Sequence, residues 1–161
     1  MRIFFVSLIA IIAFVVPAAA QVLSEKQISL ALATSAAQAA MEQCRADGYK
    51  VSVAVVDRAG QMRVFLRDDG SGLTSTEGSR RKAYTAAALR GTYAEITARI
   101  ASNPLIADVK YLNDVIMLPG GVPIKVGNEV IGAIGVGGAP NATGDEACAN
   151  AGVKKIADQL K

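Results

Sequence analysis

The chain contains no histidine and no tryptophan, and aromatic residues make up only 5% of its 161 positions. Without histidine it cannot build a Ser-His-Asp or Cys-His catalytic arrangement, and no metal can be bound through an imidazole. Its two cysteines are too few for a structural zinc site. No recognisable set of general bases is present, so these absences favour a binding protein over an enzyme.

A strong excess of charge is also missing, because 17 basic residues face 14 acidic residues for a net charge of +3. The single basic cluster, Arg80-Arg81-Lys82, is typical of a solvated helix face. Nucleic-acid binders usually carry a broad basic patch interleaved with aromatic residues. We therefore expect no nucleic-acid partner.

The first twenty residues, MRIFFVSLIAIIAFVVPAAA, combine a basic Arg2, an apolar run and a closing Ala-Ala-Ala. This pattern predicts a signal peptide over residues 1–20 and a mature domain over residues 21–161. A membrane anchor would need an apolar run of about 20 residues, and this run, from Ile3 to Val16, is shorter. We expect a periplasmic or secreted protein with no membrane association after cleavage.

Export changes the interpretation of Cys44 and Cys148, since two cysteines in an oxidising compartment are commonly bridged. The alternative, two buried free thiols, stays open from the sequence alone.

Hydrophobic periodicity and turn residues predict an α/β fold of the α+β type, with a central, mostly antiparallel five-stranded sheet flanked by helices in a single domain. The N-terminal and C-terminal helices are expected to pack together. The predicted helices cover residues 25–46, 75–89, 93–101 and 144–160, and the predicted strands cover residues 51–56, 61–67, 115–118, 122–126 and 130–136. Capping boxes are predicted at Ser24, Thr74, Thr92 and Thr143, each followed three residues later by Glu or Gln.

The stretch IGAIGVGGAPNATGDE, residues 131–146, holds five glycines but matches neither the Walker loop nor the dinucleotide fingerprint. Its helix begins with Asp145 and Glu146, and these carboxylates occupy the positive end that a bound anion would need. The stretch therefore predicts a last strand in which Gly132, Gly135 and Gly137 leave a bare backbone on one face, where a helix or a neighbouring subunit packs closely.

Four motifs in order, VSVAVVDRAGQMRVFLRDDG, KAYTAAALRG, LPGGVPI and VIGAIGVGG with DEACANAG, resemble the GlcG/HbpS family of haem-binding domains. The resemblance covers nearly all of the mature chain, about residues 30–156. It implies an antiparallel sheet with flanking helices, a homo-oligomer, and haem as cofactor. Members of the family also accompany oxidation systems for small organic acids and alcohols.

The family motifs fall on a small set of residues, which the resemblance places around one ligand cleft: Lys82, Tyr84, Thr85, Gly120, Gly121 and Pro123, with Asp145 and Glu146 as an acidic rim. No histidine is available for haem iron, so iron would need Tyr84, Tyr111, Met62, Met117, Lys82 or a hydroxyl group. No separate metal site and no catalytic residue is predicted.

Two functions fit these residues. One is an exported protein that binds haem or another tetrapyrrole. The other is a protein that binds a small organic acid, or an accessory subunit beside a periplasmic oxidation system, with no tetrapyrrole. Haem degradation is a lesser alternative.

Overall fold

In the computed structural model, which describes residues 22–160, four α-helices and four strands share a single domain. The signal peptide predicted for residues 1–20 lies outside the described residues. The elements, in chain order, are α1 (Leu30–Ala46), β1 (Ser52–Asp57), β2 (Met62–Arg67), α2 (Ser75–Ala88), α3 (Tyr93–Ser102), β3 (Gly121–Val126), β4 (Glu129–Gly137) and α4 (Ala142–Ile156). Two 3-10 segments, Pro104–Tyr111 and Ala157–Gln159, complete the described part.

The strands form one sheet in the order β2-β1-β4-β3, and every neighbouring pair is antiparallel. Helices α1 and α4 cover one face, while α2 covers the other through contacts with β1, β3 and β4. The architecture is therefore three layers, with the two-helix layer and the α2 layer on opposite sides of the sheet. This confirms the predicted α+β fold with an antiparallel sheet.

The two faces of the sheet carry side chains of different size, because successive residues of a strand point to opposite sides. Val53 and Val55 of β1 belong to the core under α1 and α4. Ala54 and Val56 belong to a smaller core of alanines under α2. On that side a Cβ atom added at Gly135 would lie only 2.2 Å from the Ser79 carbonyl oxygen.

The predicted close approach of a helix to the glycines of the last strand is thus confirmed at Gly135 and Gly137, which meet the backbone of α2. Gly132 differs from that prediction. It lies against Ile28 and the Val56 carbonyl instead.

The predicted fifth strand, residues 115–118, is wrong: within residues 22–160 the sheet has four strands. The backbone groups of this segment are bonded by side chains of α2. Arg81 Nη2 donates to the Val115 carbonyl oxygen, and the Ile116 N–H donates to Thr85 Oγ1. Because these groups are already bonded, the segment follows α2 and does not extend the sheet.

The first helix begins at Leu30 and not at residue 25, with Ser29 as its N-cap. Before it, Ile28 is buried and its N–H donates to the Ile131 carbonyl oxygen, which holds the segment extended along β4. The predicted capping box at Ser24 is therefore wrong.

The box at Thr92 with Glu95 is confirmed in both directions. Thr74 has helical backbone angles and makes no side-chain cap bond, and α4 is capped by Asn141, so the boxes at Thr74 and Thr143 are wrong.

The first and last helices pack against each other as predicted, and a disulfide joins Cys44 of α1 to Cys148 of α4. The bridge spans a sequence separation of 104 residues, with Cα atoms 5.5 Å apart. Across residues 22–160, none of the helices combines the length and apolar character that crossing a bilayer requires.

Candidate functional site

A buried ion pair lies where α2, α4 and the loop before β3 meet. Lys82 Nζ donates to Asp145 Oδ2 at 2.6 Å, and both side chains are about 95% buried. The other carboxylate oxygen, Asp145 Oδ1, accepts from the Ala139 N–H at 2.9 Å. Asp145 therefore fixes both the lysine and the connection between β4 and α4.

Two glycines allow the loop to approach this pair. Gly120 has a φ of +111°, and a Cβ atom there would lie 2.8 Å from the Cβ of Asp145 and 3.1 Å from Lys82 Nζ. At Gly121 a Cβ atom would lie 2.3 Å from the Lys82 carbonyl oxygen. The structure thus brings together four predicted site residues, Lys82, Gly120, Gly121 and Asp145.

The remaining predicted residues lie around this group or away from it. Thr85 is buried on α2 and accepts from the Ile116 N–H at 2.9 Å. Pro123 is a buried residue of β3 paired with Ala133, and Glu146 is half-buried next to Asp145. Tyr84 is on another side of α2, where its ring packs over Gly60 in the turn between β1 and β2.

A cleft of about 490 Å³, called the α2 cleft below, opens beside the ion pair. Its wall combines residues from the start of α2, from the loop before β3 and from the end of β4. It is lined by Leu73, Thr74, Ser75, Glu77, Gly78, Arg81, Lys82, Ile116, Leu118, Gly137 and Gly138. Cofactor and ligand pockets commonly fall between about 300 and 1,000 Å³.

The wall of the cleft is both apolar and charged. Leu73 is 95% exposed and Leu118 is 49% exposed, so large apolar side chains face solvent at its mouth. Glu77 accepts from Arg80, and this bond holds the pKa of the Glu77 carboxyl below its usual value. The same contact, together with Asp114, raises the pKa of the Arg80 guanidinium.

Sequence reasoning missed the apolar wall and Arg81. Glu77, Gly78, Arg81 and Lys82 follow the spacing i, i+1, i+4, i+5, which places them on one side of a helix. That spacing could have identified the helical wall. The apolar residues come from two loops, and no local pattern in the sequence predicts that they lie together.

Of the five residues named as possible iron ligands, Lys82 lines the cleft, and the predicted alternative of a hydroxyl group is met there by Thr74 and Ser75. Tyr84 packs on Gly60, Tyr111 is 74% exposed on a 3-10 segment, and Met62 is on β2, the edge strand furthest from β3. Met117 is half-buried between Ile116 and Leu118. Within the described range 22–160, no three His, Cys, Asp or Glu residues cluster as metal ligands would.

Comparison with known proteins gives concordant results. Residues 28–154 match the family described as "Haem degrading protein HbpS-like". An uncharacterised 15.0 kDa protein of Citrobacter freundii, from the dhaT–dhaS intergenic region, is 34% identical over 113 residues, which are 69% of this chain and 80% of that protein.

Among solved structures, a double mutant of Streptomyces reticuli HbpS is 38% identical with a TM-score of 0.77. The match covers 86% of this chain and 95% of HbpS. The PduOC:heme complex has a TM-score of 0.72 at 23% identity, over 81% of this chain and 95% of that one, and shares the fold. The chain is therefore a member of the HbpS-like family.

Proposed function

We propose that this protein binds haem or a related tetrapyrrole in the α2 cleft. The observation that carries the proposal is the combination, in about 490 Å³, of the apolar Leu73, Ile116 and Leu118 with the basic Arg81 and Lys82. A flat apolar ring with acidic side groups needs such a wall. Membership of the HbpS-like family supports the proposal, and PduOC, which has the same fold, has been solved with haem.

The residues of this wall suit the apolar ring and its acidic groups better than they suit conventional ligation of the haem iron. The chain has no histidine, and Lys82, as the cation of its pair with Asp145, has no lone pair to offer. Ser75 Oγ already bonds Ser52 and the Gly72 carbonyl. Thr74, whose side chain makes no cap bond, is therefore the described wall residue best able to present an oxygen atom to the iron, while both Glu77 oxygens already accept from Arg80. Haem, when bound, supplies a redox-active iron centre.

Titration of the purified mature protein with haemin tests the proposal. We expect a saturable shift of the Soret band that Leu118→Asp or Leu73→Asp weakens, since each places a charge against the ring. Leu30→Asp is the matched control, because Leu30 is 56% exposed on α1 outside the cleft. No saturable shift, or equal loss in all three variants, would contradict binding in the α2 cleft.

The second candidate function is binding of a small organic acid without a tetrapyrrole. It is favoured by the missing histidine and by the basic residues of the cleft. Thermal unfolding in glycolate, lactate and similar acids tests it. A ligand at 100 times its Kd stabilises the folded protein by about 2.7 kcal/mol. Stabilisation by these acids with no response to haemin would favour this function over the first.

We also propose that the protein is exported and works as a homo-oligomer in the periplasm or outside the cell. The signal-like residues 1–20 and the disulfide support export, because disulfides persist in oxidising compartments. The exposed Leu105, Tyr111 and Leu112 support an interface between copies. N-terminal sequencing after fractionation and light scattering of the mature protein test the two statements. Residue 1 intact in the cytoplasm, or a monomer at micromolar concentration, would contradict them.

A further inference from the structure

The three consecutive basic residues of α2 have different partners. Arg80 Nη2 lies 2.5 Å from Glu77 and 2.5 Å from Asp114, and Lys82 Nζ lies 2.6 Å from Asp145. Arg81 has no carboxylate within 4.0 Å among residues 22–160. Among the described residues, Arg81 is therefore the one of the three without a direct ion-pair partner.

The guanidinium of Arg81 is held in place but incompletely bonded. Nη2 donates to the Val115 carbonyl oxygen at 2.6 Å, which orients the group. Nε is buried and has no hydrogen-bond partner in the described part of the chain. Nη1 likewise has no hydrogen bond there. A guanidinium offers five N–H donors in a planar fork that matches a carboxylate, and a buried donor without a partner is unfavourable.

The surroundings of Arg81 favour an anion as the missing partner. Arg81 lines the α2 cleft with the apolar Leu73, Ile116 and Leu118, so an opposite charge is less screened there than in bulk water. The nearby acid, Glu77, already accepts two hydrogen bonds from Arg80.

We propose that Arg81 binds a carboxylate of the ligand and thereby sets how the ligand enters the α2 cleft. The inference rests on the proposed function, for which the carboxylate is a propionate of the tetrapyrrole. A free organic acid offers the same chemistry. Arg81 is thus a specificity-determining residue that selects acidic ligands, while the apolar wall holds the ring.

The test compares haemin with its dimethyl ester, in which both propionates are blocked, on wild type, Arg81→Gln and Arg63→Gln. Arg63→Gln is the matched control, because it removes the same charge from an exposed position on β2 outside the α2 cleft and leaves Arg81 and Glu77 with their partners. Circular dichroism and thermal unfolding confirm that each variant is folded. We expect Arg81→Gln to weaken haemin binding by at least about tenfold.

Two further results are expected. Arg81→Gln leaves binding of the dimethyl ester nearly unchanged, and Arg63→Gln keeps the preference of wild type for the free acid. Equal binding of haemin and its ester by wild type, or an equal loss of both ligands in Arg81→Gln, would overturn the inference while haem binding itself stood.

If wild type binds no haemin, the proposed function fails, and thermal unfolding with small organic acids then decides the inference about Arg81. Stabilisation by glycolate or lactate that disappears in Arg81→Gln but not in Arg63→Gln would support a free acid as the source of the carboxylate. The absence of any Arg81-dependent response to either ligand class would overturn it.

Discussion

The two faces of the sheet are built from the same strands but with different packing. Beneath α1 and α4 the strands present Val53, Val55, Ile134 and Val136, which are buried and β-branched. Beneath α2 they present mostly alanine and glycine together with Val56, so helix and strand backbones come within contact distance. The first face carries the larger core, whereas the α2 cleft opens on the second, beside the ion pair that joins α2 to α4. The candidate site therefore lies on the face opposite the larger core.

Removal of the disulfide tests the first face and has the largest expected effect on stability. Closing a loop of about 100 residues contributes on the order of 4–5 kcal/mol in the chain-entropy model. We expect the Cys44→Ala/Cys148→Ala variant to lose about that much free energy of unfolding in a denaturant titration. A reducing agent should lower the stability of wild type to the same level and leave the variant unaffected. A loss below about 1 kcal/mol would show that the packing of α1 on α4 does not depend on the bridge.

Breaking the buried ion pair tests the second face. Asp145→Ala leaves the Lys82 charge buried without a partner, which costs about 3–5 kcal/mol when such a pair is broken. Lys82→Met combined with Asp145→Ala should cost less than the sum of the single changes, because the uncompensated charge is removed. Urea unfolding of wild type, the two single variants and the double variant gives the coupling free energy between the two charges. Additive losses would mean that the two charges do not stabilise each other.

Filling the glycine surface tests the close approach of α2. Gly135→Ala places a Cβ atom 2.2 Å from the Ser79 carbonyl and 2.4 Å from the Ala83 nitrogen, so the helix must move. We expect a loss of about 2–3 kcal/mol, at the upper end for overpacking. Gly78→Ala is the control within α2, because a Cβ atom added there would have no neighbouring atom within 4 Å. It should stabilise the protein by up to about 1 kcal/mol, since alanine favours a helix more than glycine does. Similar losses in both variants would contradict the contrast between the two faces.

The smallest expected effect is the pH response of a surface pair at the end of α1. Hydrogen bonds from Arg45 hold the pKa of Asp68 below its usual value. A carboxyl group whose pKa is lower in the folded protein stabilises that protein at any pH above its pKa in the unfolded chain, which is about 4. This stabilisation is lost as the pH falls from there through the pKa of the folded state. We expect Asp68→Asn to reduce the acid dependence of unfolding slightly, and Asp69→Asn is the neighbouring control. An unchanged pH profile in Asp68→Asn would show that the pair is fully screened by water.

Much of the fold could be predicted because the signals are local. The turns at Gly60 and Gly127 have positive φ, the Thr92 box forms as expected, and the glycines of β4 meet a helix. The absent fifth strand could not be predicted in the same way. Residues 115–118 have a strand-like pattern, but their backbone is bonded by Arg81 and Thr85, about thirty positions earlier in the chain. A tertiary contact overrides the local preference there.

The candidate site shows the same difference between features that local sequence predicts and features that tertiary contacts decide. The family motifs located Lys82 and Gly121, whose backbone contact follows from a missing Cβ atom. The distinct position of Arg81 depends on Asp145 neutralising Lys82 from 63 residues away. No spacing within a single helix reveals which of the three basic residues lacks an ion-pair partner.

The bond between Cys44 and Cys148 also makes the chain a closed covalent loop with two tails. Every residue that lines the α2 cleft lies inside that loop. A protease that makes a single cut within that loop would release no fragment, because both new ends remain attached through the bridge. The nicked protein would run as one band on a gel without reductant and as two bands with it. The loop thus gives a cleaved molecule the means to keep its α2 cleft as one unit.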